Sequence, residues 1–481
     1  MTTPSLKVSA HCAHSKYQFD VETDTTLRVL LEGVASPEAA PKRSALDLVL
    51  VLDQSGSMGG EKLQLCKETA IFLSRELTSN DRLGLVTYAS QVFEQFPLQW
   101  MTADAKETFS AKTKGIRATD CTNLSGGLLK GISMLGAAET AMQVDENLKG
   151  DANKAEEVTG QRMRAVLLLT DGHANNGITD PEMLCKVTSE ALEKIGGGTH
   201  LFTFGYGTQH NDELLEKLAM GSNGRYFFID KSDEVAGAFA DCLGGLCSTV
   251  AQNIVLELQP AGGATFQGDA MTAFKNSRAG SDGFRVEIPD LFAEESRSIM
   301  IKMSLPKLTA PVEGDEDAPV AKITASFVDC TAAALGTVEQ VVGVARPREV
   351  SSAEQVASEN ADVHIQVLRF HAAEDLERAQ RLAEQGQLGE GRSVLEVCRD
   401  KMKASRFNLG SDDLVSHLCE ELDDAHECLS SPSVFASKGN KKMRSRTAQF
   451  QTERQYLPSS DSAVYRNVFQ KTMRSRWKKK E

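Results

Sequence analysis

The sequence predicts an α/β fold, in which a doubly wound, mostly parallel sheet is inserted in a β-sandwich and is followed by a helical region and a basic tail. Three observations predict it. Short aliphatic runs alternate with amphipathic helical segments between about residues 45 and 250, a pattern typical of repeated βαβ units. Strand-like segments separated by turn residues lie on both sides of this region. Helical periodicity returns from Ser351 onward.

Composition limits the class of protein. The chain has 481 residues, a net charge of −14, 41% hydrophobic and 25% charged residues, which excludes a disordered or fibrous chain. No apolar run approaches the roughly 18 residues of a membrane helix, and the polar N-terminus does not resemble a secretory signal. The ten cysteines are widely spaced, which favours reduced thiols over a disulfide framework. We therefore expect a cytoplasmic protein.

The flanking strands are expected to form one sandwich. Residues 1–40 alternate apolar and polar side chains, which predicts two or three strands that are too few to make a domain. Residues 249–348 contain strand-like segments such as NIVLELQP, FRVEIPDLF and VAKITASFVD. The N-terminal strands need a sheet to join, so we predict that they complete this sandwich.

Residues 41–248 are the predicted α/β domain. The run LDLVLVLD, which ends at Asp53, is typical of a parallel strand that is buried on both faces. RLGLVTYAS and QVFEQFPLQWM are close enough to pair as a hairpin, and RAVLLLTDG, THLFTFGYG and GRYFFID continue the alternation with helices. The polar segment from Val144 to Gln161 is predicted to be a surface insertion.

The C-terminal part is predicted as a helical bundle over 351–430 and a basic tail over 431–481. The periodic segments 352–385, 390–405 and 412–429 are the predicted helices of the bundle. Ser351 and Glu354 fit a capping box at the start of the bundle. The tail contains thirteen Lys and Arg against three acidic residues, and its aromatic residues are too sparse for a core. Such a tail can bind nucleic acid or an anionic membrane, or it can fold back on the acidic body of the chain.

The candidate site consists of oxygen-bearing side chains at expected strand ends and a helix start: Asp53, Ser55 and Ser57 in DQSGS, Thr122 in CTNL, and Asp171 in LLLTDG. Ligands of doubly wound sheets bind beyond the carboxyl ends of the strands, so these segments can converge. Hydroxyl and carboxylate oxygens without nitrogen or sulfur select a hard cation. The alternative is that Asp53 and Ser55 only cap the helix that follows them.

The order DQSGS, TNL, TDG resembles the metal-ion-dependent adhesion site (MIDAS) of von Willebrand factor type A (VWA) domains. This resemblance implies a site for Mg²⁺, or for Mn²⁺ or Ca²⁺, that binds an Asp or Glu of a protein partner. It also implies that the metal ligands are Asp53, Ser55, Ser57, Thr122 and Asp171. The family commonly has glycines before the threonine, whereas this chain has Asp120 and Cys121, and Thr119 is a weaker candidate for the ligand. His173 is expected to be a loop residue rather than a general base.

The remainder is similar to eukaryotic VWA proteins with an intein-like (Vwaint) C-terminal region. Motifs of hydrolases and of nucleotide-binding or dinucleotide-binding enzymes are absent from the sequence. The leading hypothesis is therefore a non-enzymatic protein–protein interaction scaffold that depends on a divalent cation. Two alternatives stay open at this point. One is a substrate-recruiting component of a ubiquitin ligase assembly, and the other is a binder of nucleic acid or anionic membranes through the basic tail.

Overall fold

The structure is a computed structural model that describes residues 5–34, 44–119, 121–146, 162–171, 174–195, 198–231, 234–280, 282–312, 317–407, 414–454 and 466–478. Asp120, His173 and residues 147–161 of the predicted insertion lie outside the described residues. The chain divides into two compact units. The first, called the sandwich unit, comprises Met1–Pro41, Thr249–Arg454 and Ser462–Tyr465. The second, called the α/β unit, comprises Lys42–Ser248, Gln455–Asp461 and Arg466–Glu481.

The strands have the following bounds: β1 Leu6–Cys12, β2 Thr23–Gly33, β3 Leu46–Asp53, β4 Arg82–Tyr88, β5 Val92–Trp100, β6 Met163–Thr170, β7 Thr199–Tyr206, β8 Tyr226–Ile229, β9 Thr249–Pro260, β10 Thr265–Met271, β11 Lys275–Ala279, β12 Gly283–Phe292, β13 Ser296–Leu305, β14 Ala318–Asp329 and β15 Ala334–Val344.

The helices have the following bounds: α1 Glu61–Glu76, α2 Ala103–Gly115, α3 Leu124–Glu146, α4 Pro181–Lys194, α5 Asp212–Met220, α6 Glu234–Cys247, α7 Ser352–Ala357, α8 Ala361–Glu384, α9 Leu388–Lys403, α10 Leu414–Cys428, α11 Pro432–Val434, α12 Asn440–Thr452 and α13 Val468–Lys478. A 3₁₀ turn covers Gly56–Met58, and a π-helical turn covers Phe435–Gly439.

The α/β unit is built on a sheet of order β5-β4-β3-β6-β7-β8. Its strands are parallel except β5, which pairs with β4 as the predicted antiparallel hairpin. Every residue of β3 is buried. Leu48 and Leu50 pack on one face of the sheet, whereas Val49 and Val51 pack on the other, because successive side chains of a strand point to opposite faces. The predicted doubly wound sheet is confirmed.

The sandwich unit contains two antiparallel sheets, of order β1-β2-β13-β10 and β11-β12-β9-β14-β15. Strand β2 pairs with the whole length of β13, from Thr23 opposite Leu305 to Glu32 opposite Ser296. The N-terminal strands therefore join the later strands, as predicted, and the α/β segment is inserted between them in the sequence. Side chains of both sheets share one core, which includes Leu27.

The bundle helices follow the sandwich within the same unit. The predicted capping box is confirmed, since the Ser351 hydroxyl accepts a hydrogen bond from the Glu354 N–H while the Glu354 carboxylate accepts one from the Ser351 N–H. The predicted first helix over 352–385 is wrong as a single element. It is split into α7 and α8, because the Asn360 side chain caps a new helix by accepting from the Val363 N–H.

The expectation of a tail without a core from residue 431 is also wrong. Helix α12 packs on α8, and Phe435 and Phe450 are buried in the core of the bundle. Arg446 in α12 donates to Glu421 and to Asp424, at 2.7 Å in each case. The physical reason is that the basic side chains meet carboxylates, so the segment can be buried despite its charge.

Arg454, two residues after the end of α12, pairs with two carboxylates of the sandwich unit. It bonds to Asp290, and its Nε donates to Glu295 Oε1 at 2.7 Å. Its guanidinium also lies over the ring of Phe292. Burial would raise the pKa of Glu295, but the charges of Arg297 and Arg454 outweigh it and lower that pKa to about 2. Arg454 is thus held as a charged group inside the sandwich unit.

The last described segment packs within the α/β unit. Arg474 Nη1 and Arg466 Nε donate to the same oxygen of Asp241, at 2.7 and 3.2 Å. Asp241 lies in α6 and its side chain is only 2% exposed. Gly244 of α6 allows close approach, since a Cβ built on it would lie 2.7 Å from the Gln470 Cα. Part of the predicted basic tail is therefore a helix of this unit, which agrees with the alternative that the tail folds back on the protein.

All ten cysteines lie in the described ranges and are reduced thiols outside any disulfide, as predicted. Cys242 and Cys247 belong to the core of the α/β unit. None of the helices in the described ranges has the length and apolar character needed to span a membrane.

Candidate metal centre

The predicted site lies at the carboxyl edge of the parallel sheet. Asp53 is the last residue of β3, and Asp171 directly follows β6. These two strands are neighbours in parallel register, with Leu52 opposite Leu169. The two aspartates are 118 positions apart in the sequence, and the strand pairing places them at the same edge.

Asp53 is fully buried and held by two hydrogen bonds. Its Oδ1 accepts from the Ser55 N–H at 2.8 Å, and its Oδ2 accepts from the Thr170 hydroxyl, also at 2.8 Å. Burial raises the pKa of the Asp53 carboxyl above its ordinary value and the neighbouring Asp171 raises it further, while the hydrogen bonds from Ser55 and Thr170 oppose the shift. Asp53 is therefore a fixed carboxyl that fastens the loop after β3 to the end of β6.

The hydroxyls of the loop after β3 are linked to Asp171. The Ser55 and Ser57 hydroxyl oxygens lie 3.2 Å apart, and the Ser57 hydroxyl donates to Asp171 Oδ1 at 2.7 Å. Ser57 is exposed, whereas Ser55 and Asp171 are buried. The three side chains form a connected group of oxygens that is open to solvent on the side of Ser57.

One charged residue of the site was not predicted from the sequence. Lys62, in the first turn of α1, places its Nζ 2.5 Å from Asp171 Oδ2 and 3.4 Å from the Ser57 carbonyl oxygen. The only sequence signal is its position, seven residues after Ser55 at the start of the helix that follows the loop. A lysine at such a position is ordinarily solvated.

Thr122 is brought to the same edge by backbone contacts. Its N–H donates to the Asn175 side-chain oxygen at 2.8 Å, and its carbonyl accepts from the Asn175 N–H at 3.2 Å. These bonds tie the loop before α3 to the loop after β6. Thr122 is 4% exposed, and in the part of the chain that the structure describes its hydroxyl makes no hydrogen bond to the serine pair. Thr119 is exposed, and its N–H donates to the Gln54 carbonyl.

The side chains that meet here fit a hard cation. The donors are hydroxyl and carboxylate oxygens, which Mg²⁺, Mn²⁺ and Ca²⁺ prefer. Two carboxyls lie at one strand edge, Asp53 and Asp171, and the Lys62 ammonium lies against Asp171. No group of three or more His, Cys, Asp or Glu side chains that could hold a metal occurs among the described residues. Any ion at this edge would therefore depend on the hydroxyls as well.

The fold resembles that of a solved structure over most of the chain. The von Willebrand factor type A protein from Catenulispora acidiphila superposes with a TM-score of 0.62 over 94% of this chain and 97% of that chain, at 13% sequence identity. The ArnB paralog VWA2 from Sulfolobus acidocaldarius superposes with a TM-score of 0.52 at 15% identity, over 92% of this chain and 99% of that one. At these identities the likeness concerns the fold.

Sequence comparison points to the same domain. Inter-alpha-trypsin inhibitor heavy chain H3 of Mus musculus is 30% identical over 224 residues, which is 44% of this chain and 23% of that protein. The uncharacterized protein YfbK of Escherichia coli is 27% identical over 242 residues, 50% of this chain and 37% of that one. The matched part thus spans about a quarter to a third of the length of these relatives.

The family model of the von Willebrand factor type A domain matches residues 47–241. This range begins in β3 and ends in α6, so it contains the sheet and the loops that carry Asp53, Ser55, Ser57, Thr122 and Asp171. This match agrees with the resemblance of the three motifs to VWA domains. It also agrees with the fold of the solved structures. The chain therefore contains a von Willebrand factor type A domain, formed by residues 47–241.

Proposed function

We propose that this protein is a non-enzymatic interaction scaffold whose VWA domain captures a carboxylate of a protein partner in a manner that depends on a divalent cation. VWA domains typically mediate protein–protein interactions. The observation that carries the proposal is the connected group formed by Ser55, Ser57 and Asp171 at the edge of the sheet. It offers oxygen donors on a rigid frame and is open on one side.

Each residue has a distinct part in this proposal. Ser55, Ser57 and Thr122 are neutral oxygen ligands, and Asp171 is the anionic one. Asp53, held by Thr170 and by the Ser55 N–H, fixes the loop and contributes a second carboxyl. When bound, Mg²⁺, Mn²⁺ or Ca²⁺ supplies a positive charge that an acidic side chain can share.

The site combines neutral hydroxyl oxygens with carboxyl oxygens, and this combination supports binding of an acidic side chain of a partner. Hydroxyls neutralise little of a cation's charge, so an added carboxylate from a partner is attracted strongly where water is partly excluded. Ser57 is exposed while Ser55, Thr122 and Asp171 are buried. A partner's Asp or Glu would therefore approach from the side of Ser57.

The alternative function through the basic tail has little support. Arg446 and Arg454 are paired with carboxylates of the sandwich unit, and Arg466 and Arg474 share Asp241. Arginines that are already paired inside the protein contribute little to binding of phosphate groups. The VWA site is the better candidate for the main function.

The experiment is a selection of displayed peptides that each contain one Asp or Glu. We expect enrichment by the full chain in Mg²⁺ but not in chelator, because the acidic side chain needs the cation. Asp171→Asn should enrich none of these peptides, whereas Asp104→Asn, which removes an exposed carboxylate in α2, should behave as wild type. Circular dichroism checks that both variants are folded.

A second comparison makes the selection decisive. Each enriched peptide is remade with Gln or Asn in place of its acidic residue. We expect these neutral peptides to lose binding. Equal binding by the neutral peptides, or retention of the acidic peptides in chelator, would contradict the proposed function.

A further inference from the structure

Lys62 forms an ion pair with the candidate metal ligand Asp171. The Nζ atom lies 2.5 Å from Asp171 Oδ2, and the side chain of Asp171 is only 1% exposed. Asp171 Oδ1 accepts from the Ser57 hydroxyl. Both oxygens of this carboxylate are thus engaged by residues of the loop after β3 and of α1.

The ammonium group has a clear role when no metal is bound. A buried carboxylate is strongly destabilised without a positive charge or hydrogen bonds close by. Lys62 supplies that charge from the first turn of α1. Its side chain is 42% exposed, and its flexible four-carbon stem allows the ammonium to move into solvent. The pair can therefore separate without any change in the sheet.

A lysine at this position disfavours the binding of a divalent cation to Asp171. An ammonium has three donors and no acceptor, so it cannot ligate a metal. It also occupies the oxygen that a divalent ion would approach, and it repels that ion through its charge.

We propose that Lys62 is an internal competitor that sets the divalent-cation affinity of this site by holding Asp171 until a metal displaces it. This inference rests on the proposed function, since it assumes that Asp171 is a metal ligand. Lys62 acts through Asp171 and is a positioning residue rather than a ligand.

The size of the effect follows from Coulomb's law. A single charge about 5 Å from a divalent ion in a water-like dielectric changes the binding constant by roughly tenfold to twentyfold. Salt screens this interaction because the lysine is partly exposed. We therefore expect Lys62→Met to bind Mg²⁺ about tenfold more tightly than wild type at low salt, and the difference to shrink as salt is added.

The experiment is calorimetric titration of the full chain with Mg²⁺ alone. Lys62→Met removes the charge and keeps much of the volume, whereas Lys62→Arg keeps the charge. Lys67→Met is the matched control, because Lys67 lies on the same helix but donates to the Ile116 carbonyl. The shift of Tm caused by Mg²⁺ is a second readout, since tighter binding stabilises the folded state more.

The result expected is tighter Mg²⁺ binding and a larger Mg²⁺-induced Tm shift in Lys62→Met, with Lys62→Arg and Lys67→Met close to wild type. Binding by Lys62→Met alone would mean that Mg²⁺ does not displace Lys62 in the native chain, and it would overturn both the inference and the proposed function. Unchanged or weaker binding by Lys62→Met, while wild type binds and Asp171→Asn does not, would overturn the inference and leave the proposed function standing. Failure of all variants to bind would overturn both.

Discussion

The ion pair between the C-terminal segment and α6 gives a prediction with a defined size. Asp241 is 2% exposed, and Arg474 and Arg466 both donate to its Oδ2. Removing one partner of a buried ion pair destabilises a protein by about 3–5 kcal/mol. Arg466 remains beside Asp241 in Arg474→Met, so we expect a loss of about 2 kcal/mol in the free energy of unfolding.

The matched control lies on the same helix. Arg476 pairs with Glu76 at 2.8 Å, but its side chain is 58% exposed. Exposed ion pairs contribute about 0–1 kcal/mol, so Arg476→Met should change stability by less than half as much as Arg474→Met. Both variants remove one positive charge from α13, so the comparison holds the loss of charge constant while the burial of the ion pair differs.

The assay is urea unfolding followed by tryptophan fluorescence. The chain has two tryptophans, and both Trp100 and Trp477 fall in the α/β unit. The signal therefore reports the unit that contains the ion pair. Equal stabilities of Arg474→Met and Arg476→Met would refute the reasoning. Asp241→Asn combined with Arg474→Met should show a coupling energy of about 1–2 kcal/mol.

Two further predictions concern the sandwich unit and the thiols. A pKa of about 2 for Glu295 in place of the ordinary 4.5 corresponds to about 3 kcal/mol of stability at pH 7, which is lost as the pH falls from about 5 toward 2. Arg454→Met should therefore be destabilised at pH 7 by an amount that shrinks over this range, and urea unfolding followed by circular dichroism measures it. At pH 8 iodoacetamide should label exposed Cys121 in the folded chain, whereas Cys66, whose pKa burial raises to about 12, should react only in urea. Peptide mapping by mass spectrometry distinguishes these sites.

The sequence predicts those parts of the fold in which local pattern and burial agree. The run LDLVLVLD has no polar interruption before Asp53, and a strand buried on both faces is the arrangement that accommodates it. The capping box of Ser351 and Glu354 was equally clear, because both partners lie within one helical turn. The sequence pattern does not reveal the break at Asn360, since the apolar periodicity continues across it.

The contacts of the C-terminal segment cannot be predicted from local sequence pattern. Arg474 and Asp241 are 233 positions apart, and neither residue differs from a solvated charge in its local pattern. A cluster of basic residues is ordinarily exposed. Only the fold shows that Arg474 and Arg466 pair with the buried carboxylate of Asp241.

The candidate site, too, is only partly predictable from the sequence. Asp53, Ser55, Ser57 and Asp171 were predicted because strand ends of a parallel sheet share one edge. The contact of Lys62 with Asp171, 109 positions away, was not predicted, because it depends on where α1 begins relative to β6. The register of β3 and β6 decides where the oxygen donors lie, whereas the length of the Lys62 side chain decides where its ammonium lies.

The most direct test of the central claim is calorimetric titration of the full chain with Mg²⁺ and Mn²⁺. Wild type, Asp53→Ala and Asp104→Asn are compared, with circular dichroism to check that each is folded. The account predicts saturable binding to wild type and to Asp104→Asn, and loss of binding in Asp53→Ala. Absence of saturable binding in wild type, or equal binding by Asp53→Ala, would contradict a divalent-cation site at this edge of the sheet.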